Sequence, residues 1–157
     1  MTQEEKQLLL KDLCARLPYG IYIYHENYDR DNPEKLDTIY CDSQLGDYGF
    51  QCCVDNVDED YHNIEKIKPY LRPMSSMTEK EKEELEDICT MYNGGINTNW
   101  ESFGIEILQI HPKYGDSFCQ DFTALDWLNA HHFDYRGLIE KGLALAAPED
   151  MYQDIVL

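Results

Sequence analysis

The hydrophobic pattern changes period at Pro18, and this change limits the fold more than any other feature of the sequence. Before Pro18, five apolar residues recur at helical spacing, and Thr2 with Glu5 forms a capping box that starts the helix. After it, Ile21 and Ile23 alternate with tyrosines, which is the two-residue period of a strand. The sequence therefore predicts an N-terminal helix that leads directly into a sheet.

Two more strand candidates, 36–41 and 48–54, follow the first one. The SQLGD segment between them contains a glycine that permits a tight turn, so a three-stranded antiparallel meander is the simplest topology. Seven of the 12 tyrosines lie between Tyr19 and Tyr61. Between Glu26 and Asp60, 11 acidic residues stand against two basic ones. We therefore expect residues 22–61 to form an acidic, tyrosine-rich sheet region.

Helical patterns dominate the rest of the chain. A second capping box, Thr78 with Glu81, predicts a helix over 79–92, and the Asn-Gly-Gly run after it favours a stop. Residues 93–120 are the hardest to interpret, with a strand signal around Ile105 to Ile110. The pattern then predicts a helix over 121–131 and, capped by Asp134, another over 135–146. These two helices would form a C-terminal hairpin within 121–147.

The length of the chain fits one domain. A chain of 157 residues can bury a hydrophobic core of its own without disulfides or metals. We expect a single α+β domain over 1–157, with an N-terminal helix, a three- to four-stranded antiparallel sheet and the C-terminal helical hairpin.

Charge limits the partners of the protein. The chain carries 31 Asp and Glu against 13 Lys and Arg, a formal net charge of −18, which repels phosphate backbones and anionic lipid. We therefore expect neither direct nucleic-acid binding nor membrane binding. A basic protein or another cation suits this charge, although solubility alone explains much acidic surface.

The first residues and the cysteines indicate a cytoplasmic protein. The N-terminus has acidic residues where a secretory signal has basic ones, and no apolar run is long enough to cross a bilayer. The six cysteines have no metal-ligand spacing, so we interpret them as small, mostly buried hydrophobic residues in a reducing compartment. No cofactor is indicated.

The segment WLNAHHFDYRGLI concentrates groups that could carry chemistry. One hypothesis is that His131, His132 and Asp134 bind a metal or transfer protons. Adjacent residues on a helix diverge by about 100°, however, whereas zinc-binding histidines on helices are spaced four apart. The simpler interpretation makes His132 a core residue, Asp134 a helix cap and Arg136 a surface or ion-pair residue.

The segment PYLRPMSSM also has two interpretations. With Tyr70 and Arg72 among apolar neighbours and two prolines, it could be a rigid docking segment for a partner. It could instead be a connector that packs under the helix starting near Thr78, and apolar residues beside a capped helix favour this second interpretation. Tyr70, Arg72 and Arg136 are thus the candidate binding residues.

Two segments, KPYLRPMSSMTEKEKEEL (68–85) and DWLNAHHFDYRGLIEKGLALAAPEDMY (126–152), carry a resemblance to a family. They resemble a widespread family of small hypothetical proteins encoded by gut Bacteroides-type bacteria and by their phages and mobile elements. The resemblance covers these segments and not the middle of the chain, which implies a fixed frame with variable inserts. It implies a phage or mobile-element context and no catalytic residues.

Three classes of function stay open on the sequence. The leading hypothesis is an acidic, non-enzymatic interaction or regulatory protein, with DNA mimicry as a sharper variant, because nucleophile-elbow, P-loop, dinucleotide-binding and HExxH motifs do not occur. The second is a metal-dependent hydrolase that uses His131, His132 and Asp134. The third is a module that binds a small molecule or peptide on its tyrosine-rich sheet.

Overall fold

The computed structural model describes residues 1–25, 33–42, 49–54, 61–91, 96–99, 104–107 and 118–152. In these ranges the chain is α+β. The α-helices there are α1 (Gln3–Arg16), α2 (Glu79–Met91) and α3 (Phe118–Ala130). The strands there are β1 (Tyr22–His25), β2 (Glu34–Asp42), β3 (Gly49–Val54), β4 (Tyr61–Asn63), β5 (Ile67–Leu71), β6 (Ile96–Asn99), β7 (Gly104–Ile107) and β8 (Leu145–Ala146).

The chain divides into two compact units. The sheet unit comprises Met1–Leu71 and Gly137–Pro148, and the helix unit comprises Arg72–Arg136 and Glu149–Leu157. The expectation of a single domain stays a prediction. No helix of the described residues has the length and apolar composition that crossing a membrane requires.

The start of α1 follows the predicted capping box. Thr2 N–H donates to Glu5 Oε2 over 2.6 Å, and Glu5 N–H donates to Thr2 Oγ1 over 3.2 Å, so two amides that lack a partner within the helix are satisfied. A 3₁₀ turn, Leu17–Tyr19, ends the helix with proline in its first positions. Gly20 follows at φ 72, a left-handed conformation that glycine adopts without steric cost.

The sheet unit contains a mixed sheet in the order β4-β3-β2-β1-β5-β8. The pairs from β4 to β5 are antiparallel, which agrees with the meander predicted for β1, β2 and β3. The segments that form β4 and β5 were not predicted to be strands, because their patterns indicated a loop and a connector. Strand β8 adds to β5 in parallel through Tyr70↔Leu145 and Leu71↔Ala146. The prediction of a purely antiparallel sheet was therefore wrong at this edge. The parallel strand lies far along the chain from β5, in a segment whose pattern was assigned to a helix, and local periodicity does not report such a pairing.

The alternation of isoleucine and tyrosine at the start of the sheet matches the alternation of buried and half-buried side chains. Ile21 and Ile23 are buried, whereas Tyr22 and Tyr24 are half-buried. The core of the sheet unit gathers apolar residues from α1, the sheet and the turn after Gly137: Leu9, Leu13, Ile21, Ile23, Leu36, Ile64, Ile67, Leu71, Leu138, Leu143 and Ala144.

One ion pair is buried within the sheet unit. Arg16 donates to both carboxylate oxygens of Asp12, through Nε over 2.8 Å and Nη2 over 3.0 Å, and both side chains are fully buried. They lie four residues apart on α1, so the geometry of the helix itself brings them together.

The helix unit has its own core. It gathers Met74, Met77, Leu85, Ala124, Leu128 and Phe133 from α2, α3 and their flanks. The two strands β6 and β7 pair antiparallel, with Ile96 opposite Ile107, so part of the strand signal in 93–120 is confirmed. Ile110 lies outside the described residues, as do the predicted stop at 93–95 and most of the acidic loops of 22–61.

The predicted hairpin partner of α3 does not form. Residues 137–142 make one helical turn instead of a helix over 135–146, and the chain continues into β8. Gly137 and Gly142 have φ of 67 and 70, left-handed values that a right-handed helix cannot contain. Asp134 therefore caps no helix there, contrary to the prediction. Both glycines lie inside the range of the predicted helix, and their left-handed conformation breaks it.

Cys14, on α1, is exposed and is therefore an exception to the expectation of mostly buried cysteines. The side chains of the remaining cysteines lie outside the described part of the chain.

Candidate functional site

The HHFD segment forms the C-terminal end of α3. His132 N–H donates to the Asn129 carbonyl over 3.1 Å, and Phe133 N–H donates to the Leu128 carbonyl over 3.0 Å. This pair of hydrogen bonds is a Schellman motif, in which the residue after the helix is left-handed and the next apolar residue folds back on the last turn. His132 takes the left-handed position, with φ 58, and Phe133 is the apolar residue.

His131 is half-buried and fixed in orientation. Its ring stacks on Trp127 with 3.9 Å between centroids, and its Nδ1 lies 2.8 Å from the Trp127 carbonyl oxygen. A carbonyl oxygen only accepts, so Nδ1 carries the hydrogen and Nε2 of the neutral ring keeps the lone pair. Single histidines of this kind are suited to accepting a proton or one ligand bond.

His132 has a different environment from its neighbour. Its side chain is fully buried, and its ring stacks on that of Tyr152 with 4.0 Å between centroids and 24° between planes. It is the one non-glycine residue with positive φ among the described residues. The burial of His132 agrees with the interpretation of a core histidine.

Asp134 participates through its backbone. Its N–H donates to the Arg72 carbonyl over 2.8 Å, and Arg72 N–H donates to the His132 carbonyl over 2.8 Å, so Arg72 bridges the two sides of Phe133 as in a parallel pair of strands. Its side chain is 7% exposed. Within the described ranges, His131, His132 and Asp134 included, no group of three His, Cys, Asp or Glu residues could hold a metal ion.

Arg72 contacts side chains of both α2 and the HHFD segment. Its guanidinium lies 4.1 Å above the centre of the Phe133 ring and donates to both carboxylate oxygens of Glu81, over 2.7 and 3.1 Å. Glu81 Oε2 also accepts from Thr78, through N–H and Oγ1–H over 2.8 Å each, which is the second predicted capping box. Residues from 68–85 and from 126–152 thus meet at Arg72.

The charge of Glu81 follows from these contacts. Partial burial raises the pKa of Glu81, but the hydrogen bonds from Arg72 and Thr78 outweigh it and the pKa lies below its ordinary value. The carboxylate is therefore ionised at neutral pH, as the bidentate ion pair requires.

The other two candidate binding residues lie in different places. Tyr70 is on β5 of the sheet unit and is 6% exposed, so little of its ring is available to a partner. Arg136 is half-buried in the helix unit, with its guanidinium 4.5 Å above the ring of Tyr135. Tyr135 in turn donates its hydroxyl to Asn129 Oδ1 over 3.0 Å. Arg136 thus covers a side chain that braces the end of α3.

Sequence reasoning missed Tyr152 and the platform formed by Trp127 and Phe133. Trp127 and Phe133 stack with 5.8 Å between centroids, and the chain brings them together through the left-handed residue between α3 and Phe133. The available signal was the apolar pair Leu128 and Phe133, five residues apart, which is the spacing of a Schellman motif. Histidine at the left-handed position concealed it, since glycine is the usual residue there.

The outer side of α2 is the acidic surface that the structure describes most completely. Leu85 is fully buried, whereas four carboxylate residues on the helix are exposed: Glu79, Glu83, Glu86 and Asp87. Lys82 pairs with Glu79 over 2.6 Å, and Lys80 with Glu84 over 3.5 Å. We call Glu83, Glu86 and Asp87 the acidic row.

Comparisons of the chain with protein-family models, curated proteins and solved structures gave no match.

Proposed function

We propose that the protein is an acidic, non-enzymatic interaction or regulatory protein that acts in the cytoplasm on a basic protein partner. The observation that supports the proposal best is the acidic row on α2. The apolar side of α2 packs in the core of the helix unit, so the helix is held in place while the acidic row is exposed. A fixed row of like charges attracts a basic surface and steers its approach.

The surroundings of the three candidate catalytic residues also support a non-enzymatic role. The ring of His132 stacks within the interior, Asp134 is buried and engages Arg72 by its backbone, and His131 stacks on Trp127. These contacts are structural ones, and they favour a binding role over a catalytic role for the segment. The leading hypothesis from the sequence is therefore kept.

The experiment compares partner capture by matched charge variants. One variant neutralises the acidic row (Glu83→Gln, Glu86→Gln and Asp87→Asn). The control variant neutralises three exposed carboxylates elsewhere (Glu4→Gln, Glu140→Gln and Asp150→Asn), so both change the net charge by the same amount. Proteins from a Bacteroides-type host are captured on each and quantified by mass spectrometry at low and high salt.

We expect the native chain and the control to enrich the same basic protein, and the acidic-row variant to recover at least about tenfold less of it, with a loss in high salt for all. Equal recovery by the two variants would mean that overall charge, and not α2, recruits the partner. Recovery at background level by the native chain would contradict the proposal.

DNA mimicry is a second candidate, and the charge density of α2 favours it. Residues 79–87 contain six carboxylates against Lys80, Lys82 and the paired Arg72, which leaves three net negative charges. At a rise of about 1.5 Å per residue these span about 12 Å, or about one charge per 4 Å. One strand of DNA carries a charge about every 3.4 Å along its axis.

Displacement of DNA separates mimicry from simple binding. A partner captured as above is loaded on duplex DNA and titrated with the native chain or the acidic-row variant. Mimicry predicts release of DNA by the native chain alone in an electrophoretic mobility assay. A ternary complex of DNA, partner and chain would reject mimicry and leave the interaction proposal intact.

The proposed context is a phage or mobile element of a gut Bacteroides-type bacterium. The two segments with the family resemblance support it, and residues from both make contacts with Arg72. The genes that flank the coding sequence provide the test, because replication, conjugation or defence genes there are expected. A neighbourhood of housekeeping biosynthetic genes would contradict this context.

A further inference from the structure

The last described residues return to the helix unit with one aromatic anchor. Tyr152 is 9% exposed and stacks on His132, whereas Glu149 and Asp150 are exposed and Met151 is half-buried. We propose that Glu149–Tyr152 is a detachable strap, whose docking on His132 holds the end of α3 in its left-handed conformation. This is a conformational device of the fold, and it does not depend on the identity of a partner.

The conformation of His132 needs such support. A side chain with a Cβ is strained in the left-handed region, and such residues persist where surrounding contacts determine them. The contacts of His132 include the bond from its N–H to the Asn129 carbonyl, the bond that its carbonyl accepts from Arg72 N–H, and the stack on Tyr152. The stack acts on the side chain, so it opposes the rotation that would relieve the strain.

The strap has the properties of a segment that opens locally. It lies in a turn outside helices and strands, and its residues before Tyr152 are largely exposed. Segments with few buried contacts open at much lower free energy than the core of a protein. Docked and undocked strap are therefore two accessible states of one chain.

The backbone connects the strap to Arg72. The His132 carbonyl accepts the Arg72 N–H, and Asp134 N–H donates to the Arg72 carbonyl, both over 2.8 Å. A rotation at His132 displaces its carbonyl and weakens this bridge. Undocking of the strap thus changes the backbone hydrogen bonds of Arg72, and through them the ion pair that Arg72 forms with Glu81 on α2.

Amide hydrogen exchange of the full chain, resolved by residue, tests the coupling. The variant Tyr152→Ala removes the anchor, Tyr152→Phe keeps the ring, and Met151→Ala is the matched control within the strap. We expect the amides of Phe133 and Asp134 to exchange about tenfold faster in Tyr152→Ala, because an aromatic pair and its burial are lost. They should change less than about twofold in the other two variants.

Glycine at position 132 gives the decisive second measurement, since it adopts the left-handed conformation without support. In the His132→Gly background, adding Tyr152→Ala should accelerate the same amides less than about twofold, because the ring on which Tyr152 stacks is already absent. The amide of Leu13 on α1 reports global unfolding. If Tyr152→Ala accelerates it too, the His132→Gly variant decides.

Three results would overturn the strap. They are unchanged Phe133 and Asp134 exchange in Tyr152→Ala, equal acceleration by Tyr152→Phe, and acceleration by Tyr152→Ala that is as large in the His132→Gly background as in the native chain. Each would show that the ring stack does not hold the left-handed residue.

Discussion

Two helical segments of this chain end with the same hydrogen bonds around different residues. At the end of α3, His132 is left-handed and Phe133 folds back on Leu128. At the single turn ten residues on, Gly142 is left-handed and Leu143 N–H donates to the Leu138 carbonyl over 2.9 Å, while Gly142 N–H donates to that of Ile139 over 3.0 Å. Both motifs carry a buried apolar pair.

The difference lies in what makes each left-handed residue tolerable. Gly142 is exposed, and a Cβ added there would meet nothing within 4 Å, so its backbone freedom alone suffices. His132 has no such freedom and is buried, stacked and bridged to Arg72. The same turn is thus encoded locally in one place and by tertiary contacts in the other.

The largest effect is expected from His132→Ala. This variant keeps the backbone strain and removes a buried ring with its stack on Tyr152, so it should lower the free energy of unfolding by about 3 kcal/mol. Chemical denaturation followed by circular dichroism measures it. The neighbouring variant His131→Ala, which removes a half-buried ring, is the control and should lose clearly less. Equal losses would show that the burial of His132 has no special role.

Arg72→Met is expected to come next, with a loss of about 2 kcal/mol, because it leaves a mostly buried carboxylate without its cation. The pKa of Glu81 is lowered from 4.5 in the folded chain, so the ion pair stabilises the fold above that pH and this contribution disappears as the pH falls through the lower folded value.

The variant should therefore show a smaller fall in stability from pH 5 to acid than the native chain. Lys80→Met, which removes the partner of Glu84 on the exposed side of α2, should leave the acid profile as it is. Parallel profiles for native chain and Arg72→Met would contradict the assignment to Glu81.

The smallest effect is expected from Gly142→Ala, at about 1 kcal/mol. Since a Cβ there has open space, this loss measures the left-handed backbone alone. The cost of the left-handed backbone can also be obtained at position 132. It is the free energy of unfolding of His132→Gly minus that of His132→Ala. The two values should agree within about 0.5 kcal/mol, because both differences measure the cost of a left-handed backbone for a residue with a Cβ. A much larger difference at position 132 would indicate that the two turns are not equivalent.

The helix starts could be predicted from the sequence because their information is local. Thr2 with Glu5 and Thr78 with Glu81 lie three residues apart, and each pair forms the reciprocal bonds of a capping box. The parallel pairing of β8 with β5 could not be predicted, since it joins distant parts of the chain and its two residues have no strand pattern. The prediction of a C-terminal helical hairpin was wrong. The apolar periodicity of the segment indicated a helix, but Gly137 and Gly142 are left-handed and interrupt it.

The candidate site could be predicted in its parts and not in its assembly. The predicted burial of His132 is confirmed, but α3 ends at Ala130 and His132 is left-handed, so helical spacing is not what separates it from His131. The contact partners Tyr152 and Arg72 are distant in sequence, so no spacing rule identifies them. The cap assigned to Asp134 was wrong because its backbone pairs with Arg72 instead of starting a helix.

The buried pair of Asp12 and Arg16 bears on the order of folding. Because the two residues are one turn apart on α1, their ion pair can form as soon as this helix forms, before distant strands pair. When the chain collapses, Asp12 and Arg16 are then buried as an ion pair. Burying them as two separate charges would cost on the order of several kcal/mol for each charge. If α1 forms first, the sheet unit closes over an ion pair and not over two separate charges.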